Sequence, residues 1–415
     1  MRLLLFHIIF LIPLAQLMAQ AELNQYLEIA AENNPELKAR YAEFEASLEK
    51  IPQAKTLQDP TLSIGYFISP VETRVGPQRV RFSLSQMFPW FGTLDARGDV
   101  AALQAKANYL KFINARGKLF QMVKGQYYEI WEVQKLMELE QKNLALLDSY
   151  EKLAQTRFSS GEGRLANVLR VQLEQQQVKT QLKILQNRME PLKASFERLI
   201  NQQVQPEIVI ADSIPVKPLH EYIRPDTLPA HPVVQFYQLQ QQASGQSKRV
   251  AIKSGYPNLG AGLDYVVVDK RTDMSMSDNG KNVIMPMVTI GLPIWRKKYN
   301  AAVKEAELRE EQFQFEQENA INTFLSQLDI AYYQLQVAQD QMDLFRSEIE
   351  ISNKTLELSI SDYTNNLSDF EEVLQIQQKL IQFERGYYTA YKNYLLMMSD
   401  IEYLTYEVSE EERNN

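Results

Sequence analysis

The chain contains no cysteine, which excludes disulfides, thiolate metal sites and lipid attachment at an N-terminal cysteine. Stability must come from packing. Histidine is nearly as scarce. His7 falls in the leader, while His220 and His231 lie in a Pro-rich stretch without ligand spacing, so no histidine metal centre is expected. Basic charge is not in excess either: a net charge of −8 over 415 residues favours solubility and offers no basic face for nucleic acid. Beyond the first 21 residues no apolar run approaches the roughly 18 residues that a membrane helix needs, so any membrane span has to be a β-barrel. No Gly-rich phosphate loop or Ser/His/Asp arrangement stands out, and the chain reads as a non-enzyme that carries no cofactor.

Proline is absent from two long windows. None of the 17 prolines lies between Trp90 and Glu190, and none follows Pro293. Because proline inside a helix costs about 3 kcal/mol, these windows permit uninterrupted helix, and both are rich in Gln, Glu, Lys, Leu and Ala. Each contains one break, Ser159-Ser160-Gly161-Glu162-Gly163 in the first and Thr364-Asn365-Asn366 in the second, so each reads as a helical hairpin. The first arm, from about Leu94 to Phe158, would extend on the order of 100 Å, a length that only a bundle stabilises. In the last arm Leu374, Ile381, Tyr388 and Leu395 repeat every seven residues, with Val373, Leu380, Tyr387 and Tyr394 beside them. Two adjacent apolar stripes predict a helix packed on two sides.

What is present is a duplication. Asn33-Asn34-Pro35-Glu36-Leu37 answers to Ala230-His231-Pro232-Val233-Val234, and Asp59-Pro60-Thr61-Leu62 to Tyr256-Pro257-Asn258-Leu259, both 197 positions apart. Phe158 to Gly161 and Val168 to Gln172 match Tyr363 to Asn366 and Val373 to Gln377, 205 positions apart. A repeat that keeps its order and drifts by a few residues is a duplicated structural unit with loop insertions. Before each hairpin lies a pair of alternating segments. Leu62, Ile64, Tyr66 and Ile68, then Val80, Phe82 and Leu84, are echoed by Leu259, Ala261, Leu263, Tyr265 and Val267, then Ile284, Val288 and Ile290. Each is about ten residues long, with one apolar and one small or polar face, as a tilted membrane strand requires. Four strands cannot close a barrel, and an open edge in lipid leaves backbone groups unpaired, so several copies would have to pool their strands. Two, three or four copies would give 8, 12 or 16, and spacing does not choose among them.

Met1 to Ala21 reads as a secretory signal, cleaved after Ala19 or Ala21. The expected organisation is an N-terminal helical segment over 22–58, a strand pair over 59–91, a hairpin over 92–200 and a Pro-rich linker over 201–232. The second copy follows as a helix over 233–255, a strand pair over 256–294, a hairpin over 295–404 and a tail over 405–415. Met274, Met276, Met285 and Met287 cluster around the second strand pair. Thioethers suit soft Cu(I), but methionine in a strand is more commonly lipid-facing or packing material, and no metal site is assigned.

This arrangement resembles the TolC family of outer-membrane efflux channels over essentially the whole mature chain. Ser85-Gln86-Met87-Phe88-Pro89-Trp90-Phe91-Gly92 is similar to the strand-to-helix junction of the family's CusC-like branch, and Gly291-Leu292-Pro293-Ile294-Trp295 is its second copy. The resemblance implies a mainly α fold with membrane β: a homotrimer whose 12-stranded β-barrel lies in the outer membrane and continues as a 12-helix coiled-coil α-barrel through the periplasm. It implies an exit duct for small toxic solutes, drugs or metal ions, docked to a periplasmic adaptor and an inner-membrane RND-type pump of a Gram-negative cell. A duct for type I protein secretion shares the architecture, and a secreted structural coiled coil is the alternative from another class. Many members of that branch carry a lipidated cysteine that this chain lacks, so anchoring would rest on the barrel. The resemblance also places an acidic periplasmic gate near the start of the last helix, falling on Glu372 and Gln375, with Asp362, Asp369 and Glu371 nearby. Three copies of Glu372 would make a ring that attracts cations. The bland alternative is an acidic first turn favoured by the helix dipole. The adaptor would meet the tips at Arg157, Gly161, Gly163 and Leu165 in one hairpin and Tyr363, Asn366 and Leu367 in the other; Arg157 and Arg164 are also placed to pair with the acidic second tip.

Overall fold

A computed structural model describes residues 22–203, 208, 210, 211, 214–216, 225, 228, 230–273, 275–365 and 367–406. The expected leader, most of the linker with His220, Met274, Asn366 and the tail beyond 406 lie outside the described residues. In chain order the elements are α1 (22–33), α2 (Pro35–Leu48), α3 (Lys50–Lys55), β1 (Thr61–Val71), β2 (Gln78–Phe88), α4 (Thr93–Ser159), α5 (Leu165–Ile200), α6 (Pro232–Ser254), β3 (Asn258–Val268), β4 (Val283–Gly291), α7 (Arg296–Thr364) and α8 (Phe370–Leu404). α5 runs through Pro191. No helix among the described residues is long and apolar enough to cross a membrane. The chain divides into two compact units, one comprising Arg40–Phe112 and Val233–Ala320, the other Met1–Ala39, Ile113–Pro232 and Ile321–Asn415.

The first unit holds all four strands in a single antiparallel sheet of order β1-β2-β3-β4. Both hairpins form, and the duplication is stitched together where β2 pairs with β3. Leu62 faces Leu84, Leu84 faces Leu263 and Leu263 faces Pro286, while Ile64, Phe82, Tyr265 and Ile284 make the next rung. This register gathers the apolar positions of both copies on one face. That face is bare: Ile68 is 91% exposed, Val288 81% and Ile284 64%. Proline occurs in the edge strands, Pro70 in β1 and Pro286 in β4, and not in β2 or β3, where it would delete a ladder bond. The opposite face is small or polar, and there β3 carries Gly260 and Gly262. A Cβ on Gly260 would meet the Met87 sulfur at 2.5 Å, and one on Gly262 would meet the Met287 methyl at 3.3 Å, so these methionines cover the two glycines. Met285 and Met287 therefore stand on the polar face, opposite the apolar one, because β4 alternates from Ile284.

The loops at one end of the sheet are bound to each other. Arg79 meets Asp269 at 2.5 Å, the Asp269 amide donates to the Pro77 carbonyl and the Gly280 amide to that of Val75. At the other end aromatic residues collect. Trp90 stacks on Tyr256 with centroids 5.3 Å apart, joining the junctions of the two copies, and Phe91 and Trp295 are both largely exposed, at 75% and 79%. An apolar band with aromatics at its rim is the pattern of a membrane strand.

The second unit is packed helix. In α7, Leu328, Ala331, Leu335, Ala338 and Met342 follow the 3-4 spacing of a coiled-coil seam and are buried against Ala390, Tyr394, Met398 and Ile401 of α8. Both stripes expected in α8 are used: Leu374, Ile381 and Leu395 are buried, and so are Val373, Leu380 and Tyr394. Buried polar groups are bound across helices, with Arg385 donating to the fully buried Glu140 at 2.5 Å and Gln377 to Asn143 at 3.2 Å. Linker residues Ile208, Ala211 and Ile214 are buried too; the Ala211 amide donates to the Tyr127 hydroxyl at 3.0 Å, and Tyr391 donates to the Ile214 carbonyl.

Candidate functional site: the two hairpin tips

Both breaks in the long windows are tight helix-to-helix turns within the second unit. At the first, the amides of Glu162 and Gly163 both donate to the Arg157 carbonyl at 2.9 Å, closing the C-terminus of α4. Gly161 takes a left-handed φ of +80°, and a Cβ on Gly163 would lie 3.0 Å from the Arg157 backbone, so both glycines are required by the turn. At the second tip the Leu367 amide donates to the Asp362 carbonyl, and Asp369 caps α8 by accepting from the Glu371 amide.

Below the tips lies an aromatic core. Phe370 is fully buried against Tyr363, with centroids at 4.8 Å, and against Tyr150 at 5.9 Å, and this cluster continues through Val168, Val171, Val373 and Leu374. Burial pushes the Tyr150 hydroxyl up to about 12. In the first hairpin, donation from Gln172 and then Gln175 holds the Glu151 carboxyl below its ordinary range.

Across the two hairpins, arginine does the joining. Arg157 donates to the carbonyls of Tyr363 and Thr364, each at 2.8 Å, and its guanidinium lies 4.5 Å from the centre of the Tyr363 ring. It thus caps the C-terminus of α7, whose last carbonyls lack helical partners. Arg170 meets Glu371 at 2.8 Å, and Arg164 approaches Asp369 at 3.7 Å. Gln375 adds a 3.5 Å contact to Glu371.

The acidic positions therefore separate into two kinds. Asp369 and Glu371 are engaged by arginines of the first hairpin. Asp362 and Glu372 are exposed, and among the described residues no ion pair or side-chain hydrogen bond is made by either carboxylate. Of the expected docking positions, Arg157 is half-used as a cap, Gly161 is exposed and Gly163 partly covered, and Leu165 and Leu367 are exposed at 49% and 75%. Tyr363 is turned inward beneath Arg157. Sequence reasoning missed Arg170, Tyr150 and Phe370. Arg170 had a signal in the repeat: it occupies the position of Gln375 in the first copy, so its counterpart lies one turn from the acid that it binds.

Residues 26–201 match the model of the family described as outer membrane efflux protein, and the match ends where the first copy ends. Among solved structures, the chain is similar to the outer membrane protein VceC from Vibrio cholerae, with 16% identity, a TM-score of 0.76, and 95% of this chain and 98% of that one covered. It is similar also to CusC, with 13% identity, a TM-score of 0.74, and 93% and 92% covered, and to the CmeC outer membrane channel of Campylobacter jejuni, with 14%, 0.71, and 95% and 88%. At these identities the likeness is one of fold, which in this chain is mainly helical with one four-stranded sheet. No curated protein matches. The resemblance drawn from the sequence holds in both comparisons, and the outer-membrane location expected from it is the one that the family description gives.

Proposed function

We propose that three copies of this chain form the exit duct of a tripartite efflux system, passing small toxic solutes from an inner-membrane pump and its periplasmic adaptor through the outer membrane. One observation carries the reading: a membrane-length sheet with a bare apolar face and two open edges. The six aliphatic residues Leu62, Ile64, Ile68, Ile284, Val288 and Ile290 are each more than half exposed, a patch that in water would drive aggregation. β1 and β4 are bonded on one side only, so neighbours have to complete them. A secreted coiled coil has no use for such a sheet. The helices point the same way, because Ile330, Leu344, Ile351 and Leu358 sit on one heptad stripe of α7 and all are more than half exposed, a seam awaiting another helix.

At the tips, the cross-hairpin bonds of Arg157, Arg164 and Arg170 hold the tip closed, and Glu372, free of them, supplies the acidic ring of the gate. The exposed tip residues Leu165 and Leu367 are the adaptor's footing. Reconstitution of the purified protein in planar bilayers tests the reading. Trimers with a small conductance are expected, rising and losing divalent-cation block in Glu372→Ala. Absence of trimers and of any conductance, in the variant as well, would sink the duct; conductance with an unchanged profile in Glu372→Ala would remove only the gate.

A further inference from the structure

The polar face of the sheet carries one buried acid. Asp264 of β3 is 0% exposed, accepts a hydrogen bond from the Ser83 hydroxyl at 2.5 Å and forms an ion pair with Arg81 of β2. The pair is lopsided, since the Arg81 side chain is 44% exposed. Its cross-strand neighbour in β1 is Gly65, and a Cβ added there would meet nothing within 4 Å, so the guanidinium stands beside open space. The other charged residues at this face, Arg79 and Asp269, lie toward the loops, pair with each other and are both about half exposed, so they offset. Assembly can only bury Asp264 further. If the apolar face meets lipid, the polar face is the barrel interior, and the charge that water there encounters at this level is the guanidinium.

We propose that Arg81, repeated around the symmetry axis at one height, forms a cationic ring inside the barrel that draws anions to the outer end of the duct. This rests on the duct reading above. Asp264 and Ser83 are positioning residues that hold the arginine at a fixed level. The barrel then favours anions at the level of this ring.

The test uses full-length trimers in planar bilayers in about 0.1 M salt, with inositol hexakisphosphate, a compact polyanion, added on the side of the strand loops. Block of the wild type is expected, with Arg81→Gln raising the half-blocking concentration roughly tenfold and Arg81→Lys restoring it, an effect that shrinks as salt is raised. Asp264→Asn, which removes the counter-charge, should strengthen block. A purely structural pair would alter trimer stability in Arg81→Gln and leave block unchanged, and that outcome overturns the proposal, as does a wild type indifferent to the polyanion. Loss of all conductance in wild type would remove the duct reading itself; conductance with block independent of residue 81 removes the ring alone.

Discussion

His231 gives the sharpest thermodynamic prediction. It stands at the end of the linker, 1% exposed, with its ring 4.3 Å from Phe324 and 5.9 Å from Tyr403. Burial pushes its pKa down to about 4, with the backbone of Tyr403 opposing in part. The folded protein therefore keeps this imidazole neutral where the unfolded chain, near 6.5, takes up a proton. Above pH 6.5 neither state is protonated and the full stability is present. Between pH 6.5 and about 4 the unfolded chain alone gains the proton, and stability is lost by about 3 kcal/mol per chain. Asp400 and Glu384 run the other way, because burial raises their carboxyl pKa values and the fold gains on protonating them. The decisive comparison is thus between wild type and His231→Phe, unfolded in guanidinium at pH 7.5 and 4.5. Most of the wild type's acid loss attributable to this site, about 2 kcal/mol or more, should vanish in the variant. Equal losses in both proteins would refute the assignment of a buried neutral imidazole.

Two further outcomes follow from packing. Ile284→Lys places a charge on the bare face of β4 and should cost about 2–4 kcal/mol per chain in lipid, read as failed insertion into vesicles, while Thr289→Lys on the other face of the same strand is tolerated; equal tolerance would mean that this face does not meet lipid. Phe370→Ala empties the centre of the tip core and should destabilise it by about 3–5 kcal/mol, seen as faster hydrogen exchange in the first turns of α8 with the strands unaffected, and unchanged exchange there would count against the Tyr150–Tyr363–Phe370 cluster as the tip's anchor.

The elements were legible because their signals are local. Proline-free windows delimit α4, α7 and α8 and cover α5 up to Pro191, which that helix runs through, and alternation marks the strands. Pairing between β2 and β3 was not legible: alternation assigns each strand a face but no neighbour, and the partners lie far apart in the sequence. The tip was half legible. Its acids stand out as a run, whereas the choice of which are engaged depends on Arg164 and Arg170 in the other hairpin, a three-dimensional fact. Tyr363 looked like surface because it borders a turn, yet the cap made by Arg157 covers it. The polar-face methionines show the same limit, since Met87 and Met287 lie over Gly260 and Gly262 of the neighbouring strand β3, a pairing the sequence does not give.

The β2–β3 ladder also dictates an order of events. Ser83 and Asp264 bond across 181 residues, so the sheet cannot exist until the first helical hairpin and the linker have been delivered. Closing so long a loop is slow, while helical hairpins form from near neighbours. The chain should therefore build its helical part first and carry β1 and β2 as an incomplete, sticky hairpin until the second copy arrives. Under the proposed reading, insertion then waits on the whole chain: only a chain delivered through residue 291 can present all four strands of the sheet.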